Sequence, residues 1–125
     1  MLKVMDINLL RAHEEVDKDH VQEIKEALLK EGVQIEPILV ENKHNIILDG
    51  HHRVEALRIL GFTKIAAYLV NYDDVKLDSW NPNVKLRKNE VIKNALEGKR
   101  FPPRTTRHTL GEKITNSSVN LSQLK

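Results

Sequence analysis

The chain has 125 residues, of which 40% are hydrophobic and 30% charged, with a formal net charge of +2, so we expect one globular domain and not a disordered chain. It contains no cysteine, which excludes disulfides, thiolate nucleophiles and zinc–thiolate sites. No stretch approaches the ~20 apolar residues of a membrane span, and the first residues lack the apolar segment of a secretory signal, so we expect a cytoplasmic protein.

The N-terminal part predicts a strand followed by a helix. Residues 4–10 are apolar enough for a strand, and a polar turn follows at 11–15. Asp17 or Asp19 is a suitable N-cap for a helix whose apolar positions recur at helical spacing. Gly32 is typical of the left-handed residue that ends such a helix.

The middle of the chain predicts a β-hairpin, a helix and a further strand. Residues 37–40 and 46–48 are short apolar runs joined by a polar loop, a pattern that indicates a hairpin. Residues 51–60 keep their apolar positions on one helical face, and Gly61 follows. Residues 65–70 are apolar enough for a buried strand.

The last third is less regular. We expect a surface loop at residues 71–83, a helix at 88–97, an extended or turn segment at 105–108, and a short helix from about Asn120. Strands and helices mix without strict alternation, so the predicted fold class is α+β, with helices packed on a small mixed sheet.

The charge is unevenly distributed. Residues 1–84 carry 10 Lys and Arg against 15 Asp and Glu, whereas residues 85–108 carry eight basic side chains against two acidic ones. The basic block is compatible with a solvated face, a nucleic-acid contact or the wall of a phosphate pocket. An aromatic content of only 4% argues against single-stranded nucleic acid, which is bound by base stacking.

The densest polar motif is Asp49, Gly50, His51, His52 and Arg53, where a predicted strand passes directly into a helix. The first amides of a helix lack intrahelical acceptors and attract anions. Gly50 permits close approach of a ligand, and the three residues after it offer donors that suit phosphate. Asp49 is placed to hold Mg²⁺ or a substrate hydroxyl. The competing interpretation is an ordinary helix start, with Asp49 as N-cap.

A second donor-rich motif is Thr105, Thr106, Arg107 and His108. It supplies two hydroxyls, a guanidinium and an imidazole, and the alternative is a polar turn after the preceding prolines. Two anion sites without a DNA-binding module favour a nucleotide ligand.

Several of these motifs resemble one known family. The run from Asp49 to Leu57 resembles the phosphate-binding box of the ParB/sulfiredoxin superfamily, which has Gly-Glu-Arg-Arg in ParB proteins and Gly-Cys-His-Arg in sulfiredoxins. The chain has Gly-His-His-Arg here. It lacks the sulfiredoxin cysteine, so sulfiredoxin activity is excluded, and we expect no helix-turn-helix region of a partition protein after residue 70.

The resemblance is greatest to the free L-serine kinase branch of that superfamily. His13-Glu14, the stretch around Trp80, the Phe101 to His108 segment and the tail, with Lys113 and Ile114, are all similar to that branch. The resemblance implies a ParB/sulfiredoxin-like domain over residues 1–125, with 1–97 as core and 98–125 as phosphate-binding segment and tail.

The resemblance also implies an activity, the transfer of a phosphoryl group from ADP or ATP to the hydroxyl of free L-serine. It makes Glu14 the catalytic base, Asp49 the residue beside Mg²⁺ and the phosphates, and Trp80 a substrate contact. On residue pattern alone Glu14 is equally an acid that stabilises a helix N-terminus, and Glu15 is a rival base. Trp80 alone indicates a core or lid residue.

The chain departs from that branch in length, since the better-known serine kinases carry about a domain's worth of extra residues between the helix near Leu96 and Phe101. A second subunit is one source of what that stretch supplies, which makes a homodimer one expected assembly. The rival function is a non-enzymatic ParB-like module that binds a nucleotide or DNA. A nuclease fits less well, because only Asp49 and Glu14 are available as metal-binding carboxylates.

Overall fold

The computed structural model of the protein describes residues 1–111 and 118–125. Its strands are β1 (Leu2–Asp6), β2 (Val33–Gln34), β3 (Ile38–Glu41), β4 (Ile46–Asp49), β5 (Lys64–Val70), β6 (Val75–Ser79), β7 (Thr106–Leu110) and β8 (Val119–Asn120), and its helices are α1 (Lys18–Glu31), α2 (His51–Ile59) and α3 (Lys88–Glu97). The predicted tail match at Lys113 and Ile114 lies outside the described residues. No helix among the described residues is long and apolar enough to cross a membrane.

The central sheet has four strands in the order β1-β5-β3-β4. β5 pairs antiparallel with β1 and parallel with β3, and β3 and β4 form the predicted antiparallel hairpin. The β3 and β4 side chains are buried on both faces except at Asp49, which explains why they appear in the sequence as continuous apolar runs and not as alternating ones. Asp49 therefore emerges where β4 ends.

Two apolar clusters cover the two faces of this sheet. One contains α1, α2 and the inward residues of β1 and β3, with Val21, Leu57 and Ile65 among its buried members. The other lies on β4 and α3, where Leu48 and Val91 are buried. The N-termini of α1 and α2 lie on the same side of the molecule, because the amide of Asp17, before α1, donates to Nε2 of His52 in the first turn of α2.

Most of the predicted elements are confirmed. α1 begins after the N-cap Asp17 and ends at Gly32, which has a φ of 71°. α2 and α3 match the predicted helices. The helical end of the chain is a 3₁₀ turn, Leu121–Leu124, and β2 and β8 were not predicted.

Two predictions were wrong in their extent. The first strand ends at Asp6, because the Asp6 side chain accepts the Asn8 amide and starts a 3₁₀ turn at Ile7–Leu9. Residues 71–83 are not all loop, since Val75–Ser79 form β6, which pairs antiparallel with β7. The segment predicted as extended or turn at 105–108 is largely the beginning of β7.

Candidate active site

The N-terminus of α2 has no side-chain cap. Gly50 precedes the helix with a φ of 116°, and a Cβ there would lie 2.3 Å from Cγ2 of Ile38, so only glycine fits. Within residues 1–111 and 118–125 no acceptor contacts the amides of His51, His52 or Arg53. We call Gly50 and these three amides the open α2 N-terminus. It has the unpaired donors and the partial positive charge that bind an anion.

The two histidine rings beside these amides act as acceptors. Nε2 of His51 accepts the amide of His13 at 3.2 Å, and Nε2 of His52 accepts the amide of Asp17 at 3.0 Å. Since a neutral imidazole has one donor and one acceptor nitrogen, each ring carries its proton on Nδ1. Burial, and then the neighbouring His13, hold the pKa of His51 well below its usual value. Burial and His20 lower the pKa of His52.

Asp49 and Arg53 flank the open α2 N-terminus. The Asp49 side chain is 69% exposed, and one of its oxygens lies 3.7 Å from Nη2 of Arg53. Nη1 of Arg53 donates to the carbonyl of Glu36 at 2.8 Å. Arg53 is therefore held at the edge of the site, while Asp49 remains accessible to a ligand.

Glu14 is buried, and its carboxylate accepts three hydrogen bonds, one fewer than its lone pairs allow. Its carboxylate accepts the amide of Arg104 at 2.6 Å, the amide of Thr106 at 3.2 Å and the hydroxyl of Thr106 at 2.7 Å. A parallel bridge between Glu14 and Phe101 aligns the two segments, and Arg104 adopts a φ of 59° in the turn between them. The two predicted motifs, about ninety residues apart in sequence, are thus in direct contact.

His13 completes this arrangement from the other side. Its Nε2 lies 3.0 Å from the Thr106 hydroxyl. The hydroxyl has a single proton, which the Glu14 carboxylate accepts, so the His13 Nε2–H donates to the hydroxyl oxygen. Burial, together with the neighbouring His108, lowers the pKa of His13 to about 3, which keeps the ring neutral. His13 also donates its amide to His51 and so joins the Glu14 contacts to the open α2 N-terminus.

The other residues of the second motif lie along the start of β7. The Thr105 hydroxyl donates to the carbonyl of Pro102 at 2.7 Å. The exposed Arg107 guanidinium lies 4.9 Å from the ring centre of Trp80, which is 60% exposed. Nε2 of His108 pairs with the Tyr72 hydroxyl at 2.7 Å, and burial lowers its pKa to about 4.

Sequence reasoning did not assign roles to His13 and Arg104. His13 stood beside Glu14 in the motif, but nothing in the sequence showed that its ring would reach Thr106. The Arg104 amide reaches Glu14 through a left-handed turn, which is uncommon for arginine. Within the basic block, Nζ of Lys88 donates to the carbonyl of Tyr72.

An apolar cavity of about 400 Å³ adjoins Arg53. Its walls come from the C-terminal half of α1 and from β2, and include Ile24, Leu28 and Ile35. A flat, mostly apolar ring would fit such a cavity.

The described residues contain no group of three or more histidine or acidic side chains that could hold a metal alone. Mg²⁺ is commonly held by one or two carboxylates together with substrate phosphates. The exposed Asp49 carboxylate beside the open α2 N-terminus fits that mode.

The pattern of the ParB N-terminal domain matches residues 1–80. An ATP-dependent L-serine kinase from Staphylothermus marinus is 34% identical over 87 residues, which cover 65% of this chain and 34% of that protein. A ParB-like protein from Sulfolobus acidocaldarius is 36% identical over 97 residues, which cover 72% of this chain and 48% of that protein. The chain thus spans about a third to a half of the length of the curated relatives it matches.

A solved structure of a free serine kinase variant in complex with AMP superposes with a TM-score of 0.90 at 15% identity, covering 99% of this chain and 94% of that one. At this identity the likeness shows the fold, and it confirms the predicted α+β class.

Proposed function

The chain belongs to the ParB N-terminal domain family, and from that premise we propose that it is a nucleotide-dependent kinase that phosphorylates the hydroxyl of free L-serine to give O-phosphoserine. The phosphoryl donor is ADP or ATP. Glu14 is the catalytic base, and Asp49 acts at the phosphates. The relative from Staphylothermus marinus that carries the name of an L-serine kinase supports this choice.

The observation that carries the proposal is the contact between Glu14 and Thr106 beside the open α2 N-terminus. A module that only binds a nucleotide has no need of a carboxylate held by three donors at its phosphate site. Phosphoryl transfer needs such a group, because the proton of the acceptor hydroxyl must leave as the new bond forms.

In the proposed reaction the oxygen of the serine hydroxyl attacks the terminal phosphorus of the nucleotide. The new O–P bond forms as the bond to the leaving phosphate oxygen breaks, and the hydroxyl proton passes to Glu14. The amides of His51, His52 and Arg53 hold phosphate oxygens as neutral donors, assisted by the Nδ1–H groups of the two histidines. Positioning and charge stabilisation supply most of the rate in such reactions.

The second motif supplies further contacts to the phosphates. Arg107 is its exposed cation, Thr105 directly precedes β7, and His108 lies on the opposite face of β7 from Arg107. Thr106 differs from the others, since its amide and hydroxyl both donate to Glu14. Thr106 therefore contributes to phosphoryl transfer mainly by holding the Glu14 carboxylate in place.

Mg²⁺, when bound by Asp49 together with the nucleotide, neutralises charge on the phosphates. The apolar cavity beside Arg53 accommodates the nucleotide base. Trp80 covers the acceptor side of the site, with Arg107 stacked on its ring.

The direct test is incubation of the purified chain with L-serine, Mg²⁺ and either ADP or ATP, followed by detection of O-phosphoserine by mass spectrometry. We expect the product with at least one nucleotide. Absence of product with both, from protein that binds nucleotide, would contradict the kinase function.

The base is tested by Glu14→Gln, with Glu15→Gln as the matched control on the neighbouring exposed residue. Loss of a general base typically costs about 10²- to 10⁴-fold in rate. We expect Glu14→Gln to lose about that much kcat while it still binds ADP, and Glu15→Gln to retain the parent rate. The opposite ranking would make Glu15 the base.

The alternative is a non-enzymatic ParB-like module that binds a nucleotide or DNA, which the match to the Sulfolobus acidocaldarius protein keeps open. It predicts nucleotide binding or hydrolysis without phosphoserine. DNA binding would add a steep loss of affinity with rising salt.

A further inference from the structure

The His13 side chain is fully buried between the segment that holds Glu14 and the start of α2. Three rings pack edge-on against its imidazole. The ring centres of His51, His108 and Phe101 lie 4.6, 5.7 and 6.3 Å from that of His13, at interplanar angles of 78°, 82° and 81°. Close packing on several sides fixes the plane of the imidazole, so its two nitrogens point in fixed directions.

The surroundings of these two nitrogens decide which one carries the proton of the neutral ring. Nδ1 is buried and has no hydrogen-bond partner in the part of the chain that the structure describes, so a proton there would be a buried donor without an acceptor, which is costly. Nε2 lies 3.0 Å from the Thr106 hydroxyl. The single proton of that hydroxyl goes to the carboxylate of Glu14, 2.7 Å away, because a charged acceptor binds it more strongly than an imidazole does. Nε2 therefore carries the proton and donates it to the hydroxyl oxygen.

This order of hydrogen bonds leaves one acceptor position on the Glu14 carboxylate. Oε2 accepts both the amide and the hydroxyl of Thr106, and Oε1 accepts the amide of Arg104. Because each carboxylate oxygen has two lone pairs, the remaining position is on Oε1. Nε2 of His13 lies 3.9 Å from Oε2, which is too far for a hydrogen bond, so His13 acts on the base through Thr106.

We propose that His13 is a positioning residue for the base, an inference that rests on the proposed kinase function. Its Nε2–H holds the Thr106 hydroxyl oxygen, which directs the hydroxyl proton to Oε2 of Glu14. Oε1 is then the atom that receives the proton of the acceptor hydroxyl. The main-chain amide of His13 donates to Nε2 of His51, so one residue fixes the base relative to the first turn of α2, where the phosphates bind.

Two substitutions of His13 separate the loss of this donor from the loss of the ring. The side-chain amide of glutamine reaches the place of Nε2, whereas that of asparagine is too short to reach Thr106. We expect His13→Asn to lower kcat by about 10- to 100-fold, because a misplaced catalytic group typically costs this much, and His13→Gln to recover most of that loss. Neither substitution alters the main-chain amide that His51 accepts, so the KM for the nucleotide should change by less than about twofold. Equal kcat losses in the two variants, or a loss confined to KM, would overturn the proposal.

Thr106→Val tests whether the two residues act as one unit, because it removes the hydroxyl that joins His13 to Glu14. We expect kcat to fall by a similar factor in Thr106→Val, in His13→Asn and in the double variant, since loss of either residue already breaks the connection. Losses that multiply would mean that His13 acts independently of Thr106 and would overturn the proposal. The control is His44→Asn, at a histidine that bonds Glu41 in the β3–β4 hairpin, and it should retain the parent kcat.

The closing measurement needs no turnover. A ¹⁵N–¹H spectrum of the histidine rings in the full chain reports which nitrogen of His13 carries the proton, and we expect Nε2. A proton on Nδ1, directed at the backbone of Ile47, would overturn the proposal, because Nε2 would then take the Thr106 proton away from Glu14. If the proton is on Nε2 but no O-phosphoserine forms, the hydrogen-bond order stands and the kinase function is wrong. If O-phosphoserine forms at the parent rate in His13→Asn, the kinase stands and the positioning role is wrong.

Discussion

The N-termini of α1 and α2 lie side by side but are built in opposite ways. Asp17 caps α1, and its side chain accepts the amides of Asp19 and His20. α2 begins at Gly50 without any side-chain cap. The first satisfies its own backbone, as a stable helix start normally does, whereas the second leaves its donors for a ligand. Amides without acceptors at a helix N-terminus lower the stability of the folded chain. Ligand binding therefore explains the uncapped start of α2 better than stability does.

The largest expected effect comes from Gly50→Ala, which places a methyl group at the open α2 N-terminus. The new Cβ would collide with Ile38, at a φ of 116° that alanine rarely adopts. We expect a loss of about 3 kcal/mol or more in the free energy of unfolding, from overpacking and backbone strain together. Denaturant unfolding measures it, and ADP affinity should fall as well.

Gly98→Ala is the control for this change. Gly98 has a φ of 72° but open space around its Cβ position, so only strain of about 1 kcal/mol is expected. Equal losses in the two variants would contradict the close approach of Gly50 to Ile38.

Acid is a second test of the α2 side, because the buried His13 ring packs against His51 at the start of α2 and against His108. The pKa values of His13 and His108 are lowered to about 3 and about 4 from 6.5, so the unfolded chain binds more protons below pH 6.5. The free energy of unfolding should therefore fall as the pH drops from 6.5 towards 4, by up to about 2.7 kcal/mol per pH unit for the two rings.

Denaturant unfolding at several pH values measures this slope. The pKa values of His51 and His52 are lowered too, so His108→Gln removes one of four rings and should reduce the slope by at most about 1.4 kcal/mol per pH unit. A free energy of unfolding that stays constant between pH 6.5 and 5 would contradict the burial of neutral histidines.

A smaller effect is expected from Asp49→Asn, which keeps the size of the side chain beside the open α2 N-terminus and removes its negative charge. We expect a loss of about 10- to 100-fold in kcat, equivalent to about 1.4–2.7 kcal/mol, and a weaker dependence on Mg²⁺. Stability should hardly change, because the exposed ion pair with Arg53 contributes little. An unaltered Mg²⁺ titration would remove Asp49 from the metal site.

The smallest effect is expected at the α1 N-terminus, which Asp17 caps. Asp17→Ala removes the α1 cap and should cost about 1 kcal/mol in the free energy of unfolding, with kcat near the parent value. A large loss of kcat without a loss of stability would mean that the two N-termini do not divide function and stability in this way.

Much of the difference between the N-termini of α1 and α2 could be predicted from the sequence. Asp17 and Gly32 bound α1 by local capping chemistry, and the sequence from Asp49 to Arg53 indicated an anion site at a helix start. Such signals are local, because the residues that cap or open a helix lie within one turn of it.

The sequence could not reveal contacts between distant segments. β6 was missed because its residues are mostly half-exposed and are ordered by pairing with β7, about thirty residues later. The Glu14 contacts with Arg104 and Thr106 depend on the same long-range arrangement. Arg58 and Arg100 line the same small pocket beside α2, although no sequence spacing connects them.

The account depends on one cleft shared by the open α2 N-terminus and the segment held by Glu14. Titration of the ¹⁵N-labelled chain with ADP and Mg²⁺, followed through the backbone amide signals, tests it most directly. The account predicts that the largest shifts occur together at His51, His52 and Arg53 and at residues 104–108. Shifts confined to one of these segments, or centred on α3, would contradict it.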